Sequence, residues 1–309
     1  MSIAPRITQR LMVERSLSFM QAGLGRLAET QEKLSTGRII NRPSDSPTGT
    51  NTAMQLRSQL AGNTQYARNA QDGIGWLGRI DNTMSSMLNS VHSARDLIVQ
   101  GASTGSGSDA SRAAIATELK QIRDGLLAQA NTTHLGRPIF AGTEGTDVAF
   151  QRVPVDPLDP TGPAVIQYVG NDKAVNRTVS DGPPVRVNIT GAEAFGPDGS
   201  NLFDVLQSAI TKLENGTADQ LGNDLTALDT VREQMQTTQA DAGTRYGRLE
   251  DIVNQIKDIE VDLTASLSEV ENVDIAKAIV ELQMQEVAYQ AALGATARVL
   301  QPSLIDFLR

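Results

Sequence analysis

The sequence predicts a mainly α-helical chain. Long terminal helices pair into a coiled-coil or helical-bundle rod, and a small β-rich insert sits in the middle. Three observations predict it. Apolar residues recur at alternating spacings of three and four near both ends, the period of a helix that keeps one face on a partner. Proline and Gly/Ser clusters cut this pattern into discrete helices. The stretch 141–200 gathers most of the prolines around short β-branched runs.

Taken in order, the first seam is Val13, Leu17, Met20, Leu24, Leu27 and Leu34, with Gln31 its polar intruder. Gly37, Pro43, Pro47 and Gly49 then break it, so 37–49 reads as an irregular connector. A second seam runs from Tyr66 through Ala70, Gly73, Leu77, Ile80, Met84, Met87, Val91 and Ala94 to Ile98, a helix of roughly 50 Å at 1.5 Å per residue. GASTGSGSDA at 101–110 is a flexible turn, and Ser108 or Asp109 caps a helix carrying Ile115, Leu119, Ile122 and Leu126. In the middle, 164–169, 174–179 and 184–189 read as strands, and Asn201 caps the helix that follows.

Thr217 and Gln220 have the spacing of a capping box for the long seam Leu228, Val231, Met235, Thr238, Ala242, Arg245, Leu249, Ile252, Ile256, Ile259 and Leu263. The last seam is Ile275, Ile279, Leu282, Tyr289, Leu293 and Leu300, interrupted by Glu286 and Thr296 and stopped or kinked at Pro302. The expected domains are 1–45 with 265–309 as paired terminal helices, 46–140 with 201–264 as a helical rod, and 141–200 as an outer β-rich insert.

Composition excludes several functions. A net charge of −9 and an aromatic content of 4% leave neither the counterion-displacing patch nor the stacking platform of a nucleic-acid binder. The absence of cysteine removes disulfides, thiolate chemistry and cysteine-ligated metal. No run reaches the ~18 apolar residues of a membrane span. MSIAPRITQRLMVERS lacks the apolar core of a signal peptide, so no general secretion signal is expected.

Apparent site motifs have plainer readings. Gly73, Gly75 and Gly78 match a dinucleotide fingerprint with Asp96 downstream, but the preceding residues are helical rather than a strand, so small residues permitting close helix approach are expected instead. His92 and His134 stand apart, without a ligand spacing. Glu269, Glu271 and Asp274 read as a solvated cluster at a helix start, favoured by the helix dipole. The triplets at Asn131, Asn176, Asn188 and Asn215 carry no message outside a eukaryotic secretory route. No catalytic constellation, cofactor site or metal site is expected.

Longer runs are more specific. LSTGRIINRPSDSPTGTNTAMQLRSQL at 34–60, YARNAQDGIGWLGRIDNTM at 66–84 and DLIVQGAS at 96–103 resemble the N-terminal half of the flagellin superfamily. SEVENVDIAKAIVELQMQEVAYQAALGATARVLQPSLIDFLR is similar to that superfamily's other end. GRPIFAGTEG at 136–145, VLQPSLIDFL near the end and the RPSDSP connector favour its hook-associated branch over flagellin itself.

The resemblance implies a structural subunit, not an enzyme, at the junction between hook and filament of the bacterial flagellum; the alternative is a flagellin filament subunit. It further implies export through the flagellar type III channel to an extracellular position. Its implied partners are further copies of itself in a helical lattice, hook-associated protein 1, flagellin and an export chaperone, with no nucleic acid and no membrane. The assembly interface expected on the terminal helices is Leu17, Met20, Leu24, Leu27, Leu34, Ile279, Leu282, Leu293, Val299, Leu300 and Phe307.

Overall fold

The computed structural model describes residues 4–103, 108–154, 164–215, 217 and 220–300, with the side chains of 4–10, 12 and 298–300 outside the description. The helices are α1 (Ala4–Thr36), α2 (Pro47–Ala102), α3 (Asp109–Ala130), α4 (Gly191–Phe195), α5 (Leu202–Glu214), α6 (Leu221–Glu271) and α7 (Ile275–Leu300). Among the described residues six strands form three antiparallel pairs: β1 (Thr133–His134) with β2 (Arg137–Pro138), β3 (Phe150–Pro154) with β4 (Ala164–Tyr168), and β5 (Asn176–Arg177) with β6 (Val185–Arg186). The chain divides into two compact units, 1–62 with 259–309, and 63–258. Pro302 lies outside the described residues.

In the first unit α1 and α7 run antiparallel. Thr30 meets Gln285, and Gly23 lies against Tyr289. The connector closes against the far end of the chain. Gly37, at φ 71°, accepts from the Val273 amide at 3.0 Å, and the Ile39 amide donates to Glu271 at 2.7 Å, around an antiparallel Arg38–Asn272 bridge. The Asp45 carboxylate accepts the Asn41 and Arg42 amides at 3.0 and 2.7 Å, and these bonds hold its carboxyl below the usual range. Pro47, expected to break the helix, instead opens α2. The first position is where its missing N–H costs nothing.

In the second unit, α2 packs antiparallel to α3 and to α6. Ser86 bonds Gln129, Gln239 bonds Asp81, and Arg95 pairs with Asp229 at 2.8 Å. The heptad positions Ala70, Leu77, Ile80, Met84, Met87, Val91, Ala94 and Ile98 of α2 are all buried, as are Leu228, Val231, Met235, Ala242 and Leu249 of α6. The strands join this same core through Phe150, Ile166 and Val185, with Val187 just beyond β6, rather than building one of their own.

Phe140, Phe150, Phe195, Phe203 and Tyr168 form a ring cluster with centroids 5.0–6.3 Å apart. Two asparagines, half-buried Asn131 and buried Asn188, tie neighbouring segments together. Asn131 accepts the Ala149 and Phe150 amides and donates to the Phe150 carbonyl. Asn188 accepts the Val175 amide and donates to the Lys173 carbonyl. The glycosylation-like triplets at these two positions are therefore structural.

The glycine fingerprint lies inside α2, and a Cβ on Gly73 would fall 2.8 Å from Val187 and 2.9 Å from Leu249. Close approach is what the glycine permits. Gly73→Val should therefore lower unfolding free energy by about 1–3 kcal/mol through overpacking. Gly125→Ala, on α3 with nothing within 4 Å of the added carbon, should raise it by about 0.5–1 kcal/mol. Chemical denaturation of the two variants measures the opposite signs.

The capping box is a correction. Thr217 donates its hydroxyl back to the Lys212 carbonyl, and the Gln220 amide bonds the Thr217 carbonyl rather than its side chain. The threonine closes the end of α5 instead of opening α6. True boxes occur at Thr190 with Glu193 and at Asn201 with Asp204.

Burial pushes the Tyr168 phenol up to about 12, against the opposing Gly191 amide. Its hydroxyl reaches the carbonyls of Phe140 and Asn171. A raised pKa means that the fold favours the neutral form. The contribution is complete below the ordinary value of 10.0 and is lost as pH rises through about 12. Alkaline titration of stability should show this loss between those values, and Tyr168→Phe should flatten it.

Candidate assembly interface

The end helices carry their apolar residues on more than one face. On α1 the positions turned toward α7 are Val13, Ser16, Met20, Gly23, Leu27, Thr30 and Leu34, at alternating three and four. On α7 they are Ala278, Leu282, Gln285, Tyr289, Ala292 and Thr296. Every second member of this seam is small or polar, and the buried Thr30 hydroxyl bonds Gln285 at 3.1 Å within it.

Met20, Leu27, Leu34 and Leu282 thus lie on the inner seam, whereas Leu17, Leu24, Ile279 and Leu293 do not. Those four stay 52, 49, 43 and 44% exposed. The single stripe expected from sequence is therefore split. Seven residues span slightly less than two turns, and the chain fills the alternate inner positions with Ser16, Gly23 and Thr30, leaving the leucines one place aside. The side chains of Val299 and Leu300, and all of Phe307, lie outside the described residues.

Further apolar side chains widen the outward surface. Phe19 is 71% exposed, and Val280, Met284 and Val287 are 55–66% exposed. Between Ile275 and Ala297 only Lys277, Glu281 and Glu286 carry charge. Helix α7 thus presents apolar side chains on more than the face turned to α1. One partner helix covers one side.

The junction of α6 and α7 corrects a second expectation. Glu271 is buried, not solvated, and its carboxylate meets Arg57 at 2.8 Å. Asp274 caps α7 by accepting the Lys277 amide, and Glu269 remains exposed. The sequence marked the acidic cluster but not the arginine, which stands 214 residues away. Among the described residues no helix is long and apolar enough to cross a membrane.

The family models fit this arrangement of paired ends. The bacterial flagellin N-terminal helical region matches residues 10–144, and the bacterial flagellin C-terminal helical region matches 225–308. The chain belongs to the flagellin family.

Among curated relatives of this flagellin-family chain, flagellar hook-associated protein 3 of Escherichia coli strain K12 is 28% identical, over 94% of this chain and 95% of its own. The protein of the same name from Salmonella typhimurium is 28% identical over 93% and 94%. Flagellin of Bacillus subtilis strain 168 is 25% identical over 96% of each. Among solved structures, a putative flagellar hook-associated protein from Vibrio parahaemolyticus superposes with a TM-score of 0.64 at 22% identity, covering 74% of this chain and 100% of that one. The flagellar junction protein FlgL from Legionella pneumophila gives 0.57 at 14%, covering 72% and 100%. These structural likenesses establish the flagellin-type fold.

Proposed function

We propose that this chain is the hook–filament junction subunit of the bacterial flagellum, a structural part that adapts the end of the hook to the flagellin filament. The observation that carries the reading is the outward apolar surface of the end helices, which one chain leaves uncovered. Such a surface serves a lattice of copies better than a closed pair, because contacts above and below a junction differ and are therefore heterologous. The choice of junction over filament follows the two hook-associated relatives, which match nearly end to end.

The partners in this reading are further copies of the chain, hook-associated protein 1 on one side, flagellin on the other, and an export chaperone before assembly. Export proceeds through the flagellar type III channel without a cleaved signal, and the protein works outside the cell. No catalysis, cofactor, metal, nucleic acid or membrane enters its function.

Electron microscopy of a deletion strain tests the reading. Hooks without filaments, with monomeric flagellin in the medium, are expected. Normal filaments on the deletion strain refute it. A second reading, filament subunit, is favoured by the full-length match to Bacillus subtilis flagellin. It requires this chain to dominate sheared flagella, whereas a junction subunit is scarce there.

A further inference from the structure

The β1–β2 hairpin contains an unexpected residue. His134 pairs with Arg137, leaving Leu135 and Gly136 as a two-residue loop. Their φ values are 51° and 77°, both left-handed. A loop of this kind normally carries Asn-Gly, because asparagine tolerates the first position and a bulky side chain does not. Leu135 is the only residue other than glycine with positive φ among the described residues, and it is 81% exposed. Strain and exposure both count against leucine in an isolated copy, which directs attention to a contact outside it.

A matching feature lies elsewhere in the same unit. Val153, Pro154, Val165 and Ile166 line an open groove of about 280 Å³ with Asp198 and Asp204 beside them. Val165 is 43% exposed there. Apolar side chains and two carboxylates thus line the groove, while the hairpin presents a leucine followed two places later by the exposed Arg137. Leu135 does not line its own groove. Arg123, on an adjoining wall, stands eight residues before Asn131 on α3, roughly 12 Å along the helix, whereas Leu135 follows Asn131.

We propose that Leu135 of one copy seats in the Val153–Val165 groove of the next, with Arg137 facing the two carboxylates. Knob and groove are different patches, so the contact is head-to-tail and propagates from copy to copy. It adds a second self-contact to that of the end helices. It rests on the junction reading only in taking copies of this chain as neighbours.

The chain has no cysteine, so a disulfide trap is clean. The full-length double variant Leu135→Cys/Val165→Cys, concentrated and oxidised with glutathione disulfide, should give a ladder of dimers and higher oligomers. Peptide mapping should find position 135 of one copy joined to position 165 of another. A monomer alone, or links only between like positions, overturns the proposal.

Leu135→Asn supplies the second measurement. It should raise the thermal midpoint by about 2–4 °C, as relief of roughly 1 kcal/mol of strain does in a domain of this size. Self-association by sedimentation should meanwhile weaken at least tenfold. Association equal to that of the unsubstituted chain overturns the contact. None of these assays uses a flagellum, so their failure is distinct from a failure of the deletion-strain test.

Discussion

Leu24→Asp should leave the isolated chain as helical and as well secreted as the unsubstituted protein, yet leave cells without attached filaments. Leu24 is half exposed and stands beside, not in, the α1–α7 seam. The new carboxylate therefore stays hydrated until a neighbouring copy covers it. Covering it loses a buried leucine, about 2–5 kcal/mol, and adds the cost of desolvating an unpaired charge. Even the lower figure weakens incorporation about 30-fold, at 1.4 kcal/mol per tenfold.

Leu293→Asp, on the outward side of α7, should behave the same way. Leu282→Asp is the control, because Leu282 faces α1. It should lower the helical content of the isolated chain before assembly begins. Circular dichroism, secretion assays and electron microscopy of cells separate the three outcomes. Normal filaments on the Leu24→Asp and Leu293→Asp strains would remove the outward leucines from the interface.

Phe150→Ala should lower the thermal midpoint of the 63–258 unit by about 6–20 °C. Truncating a fully buried phenylalanine costs about 3–5 kcal/mol, and a domain of this size loses about 2–4 °C per kcal/mol. Phe150 is 1% exposed and meets the rings of Tyr168, Phe195 and Phe203 at 5.1–5.6 Å. Its backbone is held on both sides by Asn131, so the β3–β4 hairpin cannot slide inward to refill the space. Phe19→Ala, at an exposed position, is the reference and should leave the midpoint of the isolated chain within a degree or two, since substitutions on open surface usually change stability by under ~0.5 kcal/mol. Calorimetry of both variants checks the contrast.

These cases show what a reader of the sequence can and cannot recover. The α2 seam was legible because each heptad position from Ala70 to Ile98 is apolar or small, so periodicity and burial coincide there. The split of the end-helix stripe was not. Ser16, Gly23 and Thr30 face α7, and no hydropathy pattern marks such residues as inward.

Asn201 was readable as a cap because its partners are local, whereas Arg57 against Glu271 is a pairing of distant residues that no local spacing encodes. The strand at 150–154 escaped notice because FQRVP is short and ends in proline, and its partner β4 supplies the pairing. Leu135 was hidden for the opposite reason. Its pattern is an ordinary loop, and only the backbone angle makes the residue unusual.

The bridge between Arg38 and Asn272 has a consequence for timing. About 240 residues separate the end of α1 from the start of α7. At about 5–20 residues per second, a ribosome finishes α1 roughly 12–50 s before it begins the helix that α1 pairs with. Passage through a narrow conduit from either end imposes the same separation, since one member of the pair always leaves first. The 63–258 unit has its core partners nearer in sequence and can close while the first helix still waits. The pairing of α1 with α7 is thus a late event, set by the length of chain that lies between them.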